Sequence, residues 1–231
     1  MLIRVFDTES TGLPSEDDPH ALVEIGWCDI VGGAVGTPKS ILVNPGRPIP
    51  PGAMAIHHIT DEDVENAPSP EVGCAALMEG KPDLFVAHNA DHDRQFFGGG
   101  DIPIACSYKI ALRLWPNAER HNNQFLRYYL GLQADRTLAE PSHRAGPDAY
   151  VTALLFKRIL DESVAKGIDV ETMIRWTKGP ALLPRINFGK HKGARWEDVP
   201  IDYLRWLAEK SDMNRDVKAN ARHWIKQREA A

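Results

Sequence analysis

The chain begins with a short apolar run that leads directly into two acidic residues. Leu2 to Phe6 is apolar apart from Arg4, and this pattern predicts a buried β-strand. Asp7 and Glu9 follow at once, and residues two positions apart in an extended chain project to the same face. Neighbouring carboxylates repel each other unless a cation lies between them, and such oxygen ligands suit Mg²⁺ or Mn²⁺. The pattern therefore predicts a metal site, although a solvated surface pair has the same spacing.

Two further clusters of titratable residues stand at the ends of predicted elements. The segment His88-Asn89-Ala90-Asp91-His92-Asp93 follows an apolar run, Leu84–Ala87. The segment His143-Arg144-Ala145-Gly146-Pro147-Asp148 precedes a strongly periodic helix over 149–160, and its proline suits the first helical position. Taken singly, the histidines fit structural hydrogen bonding, and an acid before a helix fits the helix dipole. Together with the first acids, the clusters predict one shared site.

The order of the elements predicts the fold class. Strands come first along the chain and helices are interleaved with the later ones, which indicates an α/β fold with a sheet covered by helices. We expect a junction near 161–183, where glycine and proline recur. Further strands are predicted at Val23–Val31 and Ser40–Val43, and further helices near Ser69–Glu79, Ser107–Leu114 and Asn122–Leu130.

Composition narrows the class of protein. The 231 residues suffice for one good core and a small appendage. No apolar run approaches the roughly 20 residues that span a bilayer, and the first residues do not fit a signal peptide, so we expect no membrane partner and a cytoplasmic location. The three cysteines are widely spaced, which argues against a disulfide framework and a zinc site.

The charge is divided unevenly along the chain. The whole chain carries −5, but residues 181–231 hold eleven Lys and Arg against seven Asp and Glu, a balance of +4 that leaves −9 for residues 1–180. Within the basic part, Gly189-Lys190-His191-Lys192-Gly193 places cations between two glycines. This segment is interpreted either as a contact to nucleic-acid phosphates or as a hairpin turn with solvated lysines. We expect a main domain over 1–166, a linker over 167–183 and a small basic C-terminal module over 184–231.

The three clusters resemble the motifs of the DEDDh exonucleases, a family of the ribonuclease-H-like superfamily. The likeness covers residues 1 to about 160 and rests on Asp7-Thr8-Glu9-Ser10-Thr11-Gly12-Leu13, on His88-Asn89 with Asp93, and on His143-Arg144-Ala145 with Asp148-Ala149. Segments 53–60, 109–116 and 188–207 are similar to those of the exodeoxyribonucleases within the family. The resemblance implies a mixed β-sheet flanked by helices, followed by the small module.

The resemblance also implies a reaction. In such enzymes two divalent ions, here Mg²⁺ with Mn²⁺ as a substitute, hydrolyse a phosphodiester, and the implied ligands are Asp7, Glu9, Asp93 and Asp148. His143 is the implied general base, since imidazole can accept a proton at neutral pH. The implied function is 3′→5′ removal of nucleoside 5′-monophosphates from single- or double-stranded DNA ends, in DNA repair.

Substrate contacts follow from matched positions in the same motifs. The candidates are Thr8, Ser10, Thr11, Leu13, His57 and Asn89 around the terminal nucleotide, with Lys190 and Lys192 in the module. The family pattern has a phenylalanine before the acid of the second motif, whereas this chain has His92. Arg144 fits either a phosphate contact or a structural role. The sequence leaves open an RNA-trimming exonuclease, a non-catalytic nucleic-acid-binding protein, and the oligomeric state.

Overall fold

A mixed β-sheet forms the centre of the computed structural model, which describes residues 1–13, 20–97 and 100–230. Within these residues the strand order is β3-β2-β1-β5-β6, and β4 also pairs with β2. β1 is antiparallel to β2 and parallel to β5, which is in turn parallel to β6. The strands are β1 (Leu2–Ser10), β2 (Leu22–Val31), β3 (Ala34–Val35), β4 (Lys39–Leu42), β5 (Leu84–Ala87) and β6 (Ile104–Cys106).

Strand β1 is longer than its apolar run predicts. It continues through Asp7 and Glu9 to Ser10, because its pairing with β2 extends past both acids, with Asp7 opposite Gly26 and Glu9 opposite Glu24. The acids therefore lie within a hydrogen-bonded strand rather than after it. This gives their side chains a fixed direction.

Helices cover both faces of the sheet. One face packs a core around Val5, Leu155 and Phe156, and the other packs a core around Phe6, Phe85 and Phe97. The predicted mixed sheet flanked by helices is therefore confirmed. The helices are α1 (Pro51–His57), α2 (Asp61–Val64), α3 (Pro70–Met78), α4 (Ala90–Phe96), α5 (Ser107–Leu114), α6 (Asn123–Tyr129), α7 (Arg136–Ala139), α8 (Ala145–Ala165), α9 (Val170–Lys178), α10 (Ile201–Glu209) and α11 (Arg215–Glu229).

The long helix α8 starts earlier than the sequence predicts. It begins at Ala145 instead of Pro147, with Arg144 as its N-cap residue. Proline is tolerated in the first turn, because the N–H groups there have no partner within the helix. His143 still lies outside the helix.

The segment between the two parts of the chain is partly helical. The linker predicted over 167–183 contains α9, whose Met173 is buried in the same core as α8. The side chain of Lys109 reaches this segment and donates to the carbonyl oxygens of Thr177 at 2.9 Å and Gly179 at 2.8 Å. Residues 170–179 are therefore attached to the main core and do not form a free connector.

The C-terminal segment has a core of its own. Trp196, Leu204, Leu207 and Val217 are buried together between α10, α11 and two short 3-10 turns, Gly189–His191 and Trp196–Asp198. Asn220 joins this core to the preceding segment through hydrogen bonds with Ala181 and Leu183. A separate core supports a module with its own stability, and the boundaries of that module stay a prediction.

No helix in the described part of the chain combines the length and the apolar character needed to cross a membrane.

Candidate active site

Three acids meet where β1 and the first turn of α8 come together. Ligand oxygens of Asp7, Glu9 and Asp148 all lie within 4.8 Å of one another. Asp7 and Glu9 share one face of β1, and Asp148 lies in the first turn of α8. The grouping brings together residues more than 130 positions apart, as the sequence predicts for a shared site.

A glycine in β2 allows this close approach. Gly26 stands opposite Asp7 in the sheet, and a Cβ atom built on it would collide with the peptide between Ala145 and Gly146. The start of α8 therefore rests directly on the sheet beside Asp7. A side chain at this position would push the helix, and Asp148 with it, away from the other acids.

Hydrogen bonds fix the orientation of Asp148. One oxygen accepts from Nε2 of Gln124 at 2.9 Å, and the other accepts from the backbone N of His143 at 2.8 Å. His143 is exposed and has a left-handed backbone with φ of 61°. Asp148 therefore belongs to the acidic cluster and also contacts the backbone of His143, which the family resemblance implies as the general base.

The loop that carries His143 is anchored to β2 by an ion pair. Glu24 is only 1% exposed, and its carboxylate accepts from Nε of Arg144 at 2.9 Å and from Nη2 at 3.0 Å. The backbone N of Ala145 also donates to Glu24, at 3.0 Å. Arg144 therefore has the structural role of the two considered, because its guanidinium forms an ion pair with the buried carboxylate of Glu24.

Of the two acids in the second motif, Asp93 lies next to the acidic cluster and Asp91 points away from it. Asp93 is 2% exposed and accepts a 2.7 Å hydrogen bond from Oγ1 of Thr8, which lies between the two acids of β1. Asp91 is exposed and pairs with Nζ of Lys109 at 2.7 Å. The two positions lie on different faces of α4, since residues two apart in a helix differ by about 200°.

Burial raises the pKa values of all four acids, and repulsion by neighbouring acids adds to this rise for Asp7 and Glu9. For Asp7 the pKa lies well above its ordinary range, first because of burial and then because Asp93, Asp148, Glu9 and Glu24 surround it with negative charge. Burial, reinforced by the neighbouring acids, raises the pKa of Glu9 to about 8. Burial raises the pKa of Asp93 to about 7, against the opposing effect of its bond from Thr8. Burial likewise raises the pKa of Asp148.

These acids fit divalent cations. Four carboxylates that oppose one another's ionisation, arranged around a common space, are costly unless positive charge is bound among them. Their donors are all hard oxygen atoms, the type preferred by Mg²⁺ and Mn²⁺. Asp7, Glu9 and Asp148 are close enough to share one ion, and Asp93 lies next to them through its contact with Thr8.

A cavity of about 230 Å³ opens beside the acids. Four of the predicted substrate contacts, Thr8, Ser10, Leu13 and His57, line it together with Glu9. Leu13 is 75% exposed, which suits a side chain that covers a ligand rather than one that packs in a core. The remaining lining residues are Gly12, Gly52, Ala53, Ile56 and His92.

Two histidines of this cavity differ in their partners. Nδ1 of His57 accepts from the backbone N of Ile59 at 3.0 Å, and Nε2 is buried without a partner among the described residues. His92, in the place of the family's phenylalanine, packs edge-on against Phe96 with centroids 5.4 Å apart. Burial lowers the pKa of both imidazoles, which favours their neutral forms.

Two predicted contacts do not line this cavity. Thr11 is 1% exposed, and its hydroxyl accepts from the backbone N of Ala21 at 2.9 Å, so it ties β1 to the start of β2. Asn89 has a left-handed backbone with φ of 69° and forms the N-cap residue of α4. Thr11 therefore supports the local backbone, and Asn89 suits a left-handed position, which asparagine tolerates better than most residues. Their contact to substrate stays a prediction.

The two lysines of the basic module are exposed on a separate surface. Lys190 belongs to the 3-10 turn Gly189–His191, and Lys192 follows it. The loop that carries them is closed by a single antiparallel bridge between Arg185 and Arg195. The segment therefore forms a turn closed by this bridge with both lysines exposed, and their contact to phosphates stays a prediction.

Two residues of the site do not follow from the motifs. Gln124 orients Asp148, and Glu24 anchors Arg144. The sequence does indicate a role for Glu24, because this acid lies within the ten-residue, mostly buried strand β2. A buried carboxylate needs a partner. Gln124 stands in an ordinary polar helix start, and the sequence offers no comparable signal for it.

Relatives of known sequence match most of this chain. The exonuclease family (RNase_T) matches residues 5–156. Exodeoxyribonuclease 10 of Escherichia coli (strain K12) is 34% identical over 228 residues, which cover 97% of this chain and 99% of that protein. DNA polymerase III subunit epsilon of Treponema pallidum (strain Nichols) is 32% identical over 168 residues, which cover 67% of this chain and 74% of that protein.

Solved structures agree with these relatives. Exonuclease X in complex with 5′ overhanging duplex DNA matches with a TM-score of 0.65 and 34% identity, over 76% of this chain and 99% of that chain. Cell-death related nuclease 4 has the same fold, with a TM-score of 0.57 and 14% identity, over 69% of this chain and 64% of that chain. Segments 53–60, 109–116 and 188–207 indicate exodeoxyribonuclease X in particular, and these matches confirm that resemblance.

Proposed function

The chain belongs to the exonuclease family and is an exonuclease, and from that premise we propose that it releases nucleoside 5′-monophosphates from the 3′ ends of DNA. The observation that carries the proposal is the acidic cluster of Asp7, Glu9 and Asp148 beside a cavity of nucleotide size. Glu9 belongs both to the cluster and to the cavity lining, so the acids lie next to the proposed nucleotide site. Asp93 adjoins it through Thr8.

The proposed cofactor is Mg²⁺, with Mn²⁺ as a substitute. Two such ions, held by these carboxylates, would lower the pKa of the attacking water and stabilise the leaving oxygen. The chain's contribution is to hold Asp7, Glu9, Asp93 and Asp148 around one space. Gln124 and the backbone of His143 fix the direction of Asp148.

His143 is the proposed general base. Its exposure gives the imidazole access to solvent, and its place next to the N-cap of α8 keeps it beside Asp148. The ion pair of Glu24 and Arg144 restrains the backbone on the other side of the residue. The imidazole can then accept a proton from water while the loop stays fixed.

The cavity beside the acids is the proposed site of the terminal nucleotide. Ser10 and Thr8 give it a polar side, while Leu13, Ala53 and Ile56 give it an apolar side. Such a mixture suits a nucleoside, which has an apolar base and polar sugar oxygens. His57 lines this cavity and is the proposed hydrogen-bonding contact, because its buried Nε2 has no hydrogen-bond partner among the described residues.

DNA is the proposed substrate because of the relatives and because of the basic module. Two of the relatives at 34% identity, exodeoxyribonuclease 10 and exonuclease X, are named for deoxyribonucleic acid or bound to DNA. Lys190 and Lys192 are exposed at a turn of the module, where they offer the localised cations that bind phosphates. A cytoplasmic location is part of the same proposal, and all three cysteines are free thiols.

The test is digestion of end-labelled oligonucleotides with Mg²⁺. We expect stepwise shortening of DNA from a free 3′ hydroxyl, no cleavage when that end is blocked, and no cleavage in EDTA. Asp148→Ala should remove nearly all activity, whereas Asp161→Ala, an exposed acid farther along α8, serves as the matched control. Preferential digestion of a matched RNA would reject DNA as the substrate, and cleavage of blocked ends would reject 3′-end specificity.

A further inference from the structure

An aromatic pair lies at the surface of the module, where Trp206 is exposed and Tyr203 is half-buried against the edge of the module's core. Tyr203 and Trp206 lie one turn apart on α10 and stack with centroids 5.5 Å apart and ring planes at 26°. Leu204, Leu207 and Ala208 of the same helix are buried. The helix therefore has one face buried in the core and an adjoining aromatic face, which runs from Tyr203 at the edge of that core to the exposed Trp206.

Trp206 is the exposed member of this pair. It is 46% exposed, while the other five tryptophans, all within the described residues, are buried or half-buried. A tryptophan on the surface contributes little to the core, and it presents a large apolar ring to solvent. The ring is available to stack on a flat ligand.

The turn with the two lysines is folded against the same aromatic face. Nζ of Lys190 lies 5.0 Å from the centre of the Tyr203 ring, and the His191 ring meets that ring edge-on at 4.7 Å. Gly189 has φ of 61°, and a Cβ atom there would come within 3.0 Å of the Tyr203 hydroxyl. Glycine at this position lets the turn approach the ring. Positive charge and aromatic faces therefore form one surface, which we call the aromatic platform: Lys190, His191, Tyr203 and Trp206.

The chemistry of the platform selects its ligand. A flat apolar ring beside cations matches a chain that alternates flat bases with phosphates, which is a single-stranded nucleic acid. A duplex hides the faces of its bases and would offer the lysines only its phosphates. The module carries +4 against −9 for residues 1–180, so attraction for a polyanion is localised here.

We propose that the aromatic platform binds unpaired DNA, with a base stacked on Trp206 and a neighbouring phosphate at Lys190. The proposal rests on DNA being the substrate. It adds a second contact outside the nucleotide cavity, through which the enzyme retains a single-stranded region while the acids act on an end. Retention of this kind lowers the substrate concentration needed for digestion of long strands and leaves the chemistry at the acids unchanged.

The test measures binding of the full chain to a labelled single-stranded oligonucleotide and to a blunt duplex, with Ca²⁺ in place of Mg²⁺. Trp206→Leu keeps an apolar helix former but removes the aromatic face, and Trp206→Phe restores an aromatic ring. We expect Trp206→Leu to weaken single-strand binding about 5- to 100-fold, as expected for loss of one stacked base. Trp206→Phe should regain most of that loss, and duplex binding should change by less than about twofold.

Two further measurements isolate the platform. Lys190→Ala should reduce the slope of single-strand affinity against salt by about 0.7. Val164→Ala, which removes an exposed apolar side chain from α8, is the control and should leave binding unchanged. Unfolding midpoints of all variants should stay near that of the unaltered chain, because the substituted side chains are exposed.

The outcomes separate this proposal from the proposed function. An unchanged affinity in Trp206→Leu, or an equal loss for single strand and duplex, would overturn the platform. Cleavage of a small thymidine phosphodiester by the unaltered chain with Mg²⁺ tests the active site alone, and Trp206→Leu should cleave it at the normal rate. Failure of the unaltered chain to cleave this reporter would count against the proposed reaction and not against the platform.

Discussion

The carboxylate of Glu24 in β2 holds the guanidinium of Arg144 through two hydrogen bonds, at 2.9 and 3.0 Å. The two residues are 120 positions apart, and their contact fixes the start of α8 against the sheet. Because Glu24 stands opposite Glu9, the same pair also places a positive charge next to the acidic cluster. For Glu9, Arg144 is the neighbour that lowers the pKa against the raising effects of burial and the other acids.

Loss of this ion pair should slow the reaction without preventing binding. We expect Glu24→Gln to lower kcat about tenfold or more with a smaller change in KM, because a displaced general base affects chemistry more than binding. The free energy of unfolding should fall by about 1–3 kcal/mol, since Arg144 loses a charged partner but stays partly hydrated. Kinetics on a small phosphodiester and urea unfolding measure the two effects. The exposed Arg158→Ala, which breaks an i,i+4 pair on the same helix, is the control; a comparable kcat loss there would contradict the positioning role.

Divalent ions should change the pH dependence of stability. The pKa of Glu9 rises from an ordinary value of 4.5 to about 8, and that of Asp93 rises from 3.8 to about 7. Acids whose pKa is higher in the folded state do not lower stability below their unfolded pKa, and they lower it increasingly as pH rises through the window between the two values. In EDTA these groups should therefore reduce Tm between about pH 4 and about pH 8.

Mg²⁺ should reverse this loss at the alkaline end of the window, because the ions bind the deprotonated folded site. Thermal unfolding in EDTA and in Mg²⁺, at several pH values, provides the measurement. Glu9→Gln should show a smaller fall of Tm with pH in EDTA and a smaller gain with Mg²⁺. Equal gains from Mg²⁺ at the acid and alkaline ends would argue against binding by these carboxylates.

The two acids of the second motif should respond in opposite ways to substitution. Asp93→Ala removes a buried carboxylate next to Asp7 and should abolish nearly all turnover. Asp91→Ala removes an exposed partner of Lys109, which keeps its bonds to two carbonyl oxygens, so activity should stay within about twofold. Steady-state assays on both variants, with circular dichroism to verify folding, decide the ranking. A more harmful Asp91→Ala would show that the motif is assigned in the wrong frame.

His143 should matter for chemistry and little for substrate binding. We expect His143→Ala to reduce turnover about 10²–10⁴-fold while DNA affinity measured in Ca²⁺ persists, as for loss of a general base. His58→Ala is a suitable control, because His58 is an exposed histidine that follows α1 and does not line the nucleotide cavity. Normal turnover of His143→Ala at neutral pH would show that His143 is not the general base.

The module should be separable from the catalytic domain. A chain that ends at Pro180 keeps α9 and the carbonyl oxygens that Lys109 binds, and it loses the core around Trp196. It should cleave a small thymidine phosphodiester at nearly the normal rate but bind long DNA more weakly, because the module's cations are gone. Gel filtration, reporter assays and binding against salt test this expectation. If the shortened chain aggregates or loses reporter cleavage, the predicted boundary is wrong.

The sequence by itself determined the identity of the chemical groups. The relevant patterns are local: acids follow an apolar run, and a polar cluster precedes a helix with regular apolar spacing. Patterns of this kind can be recognised from the sequence alone. They suffice to predict the α/β fold, the two acids next to the first strand, the strand 84–87 and most of helix α8. The motif resemblance added the choice of Asp93 over Asp91.

The tertiary structure alone decided how these groups are held. Gly26 admits the first turn of α8 beside Asp7, and Glu24 pairs with Arg144 across 120 residues. The exposure of Trp206, in a helix whose Leu204, Leu207 and Ala208 are buried, likewise depends on which face of α10 meets the module core. Such relationships depend on how distant segments pack against each other. The spacing of residues along the chain does not specify which distant atoms come into contact.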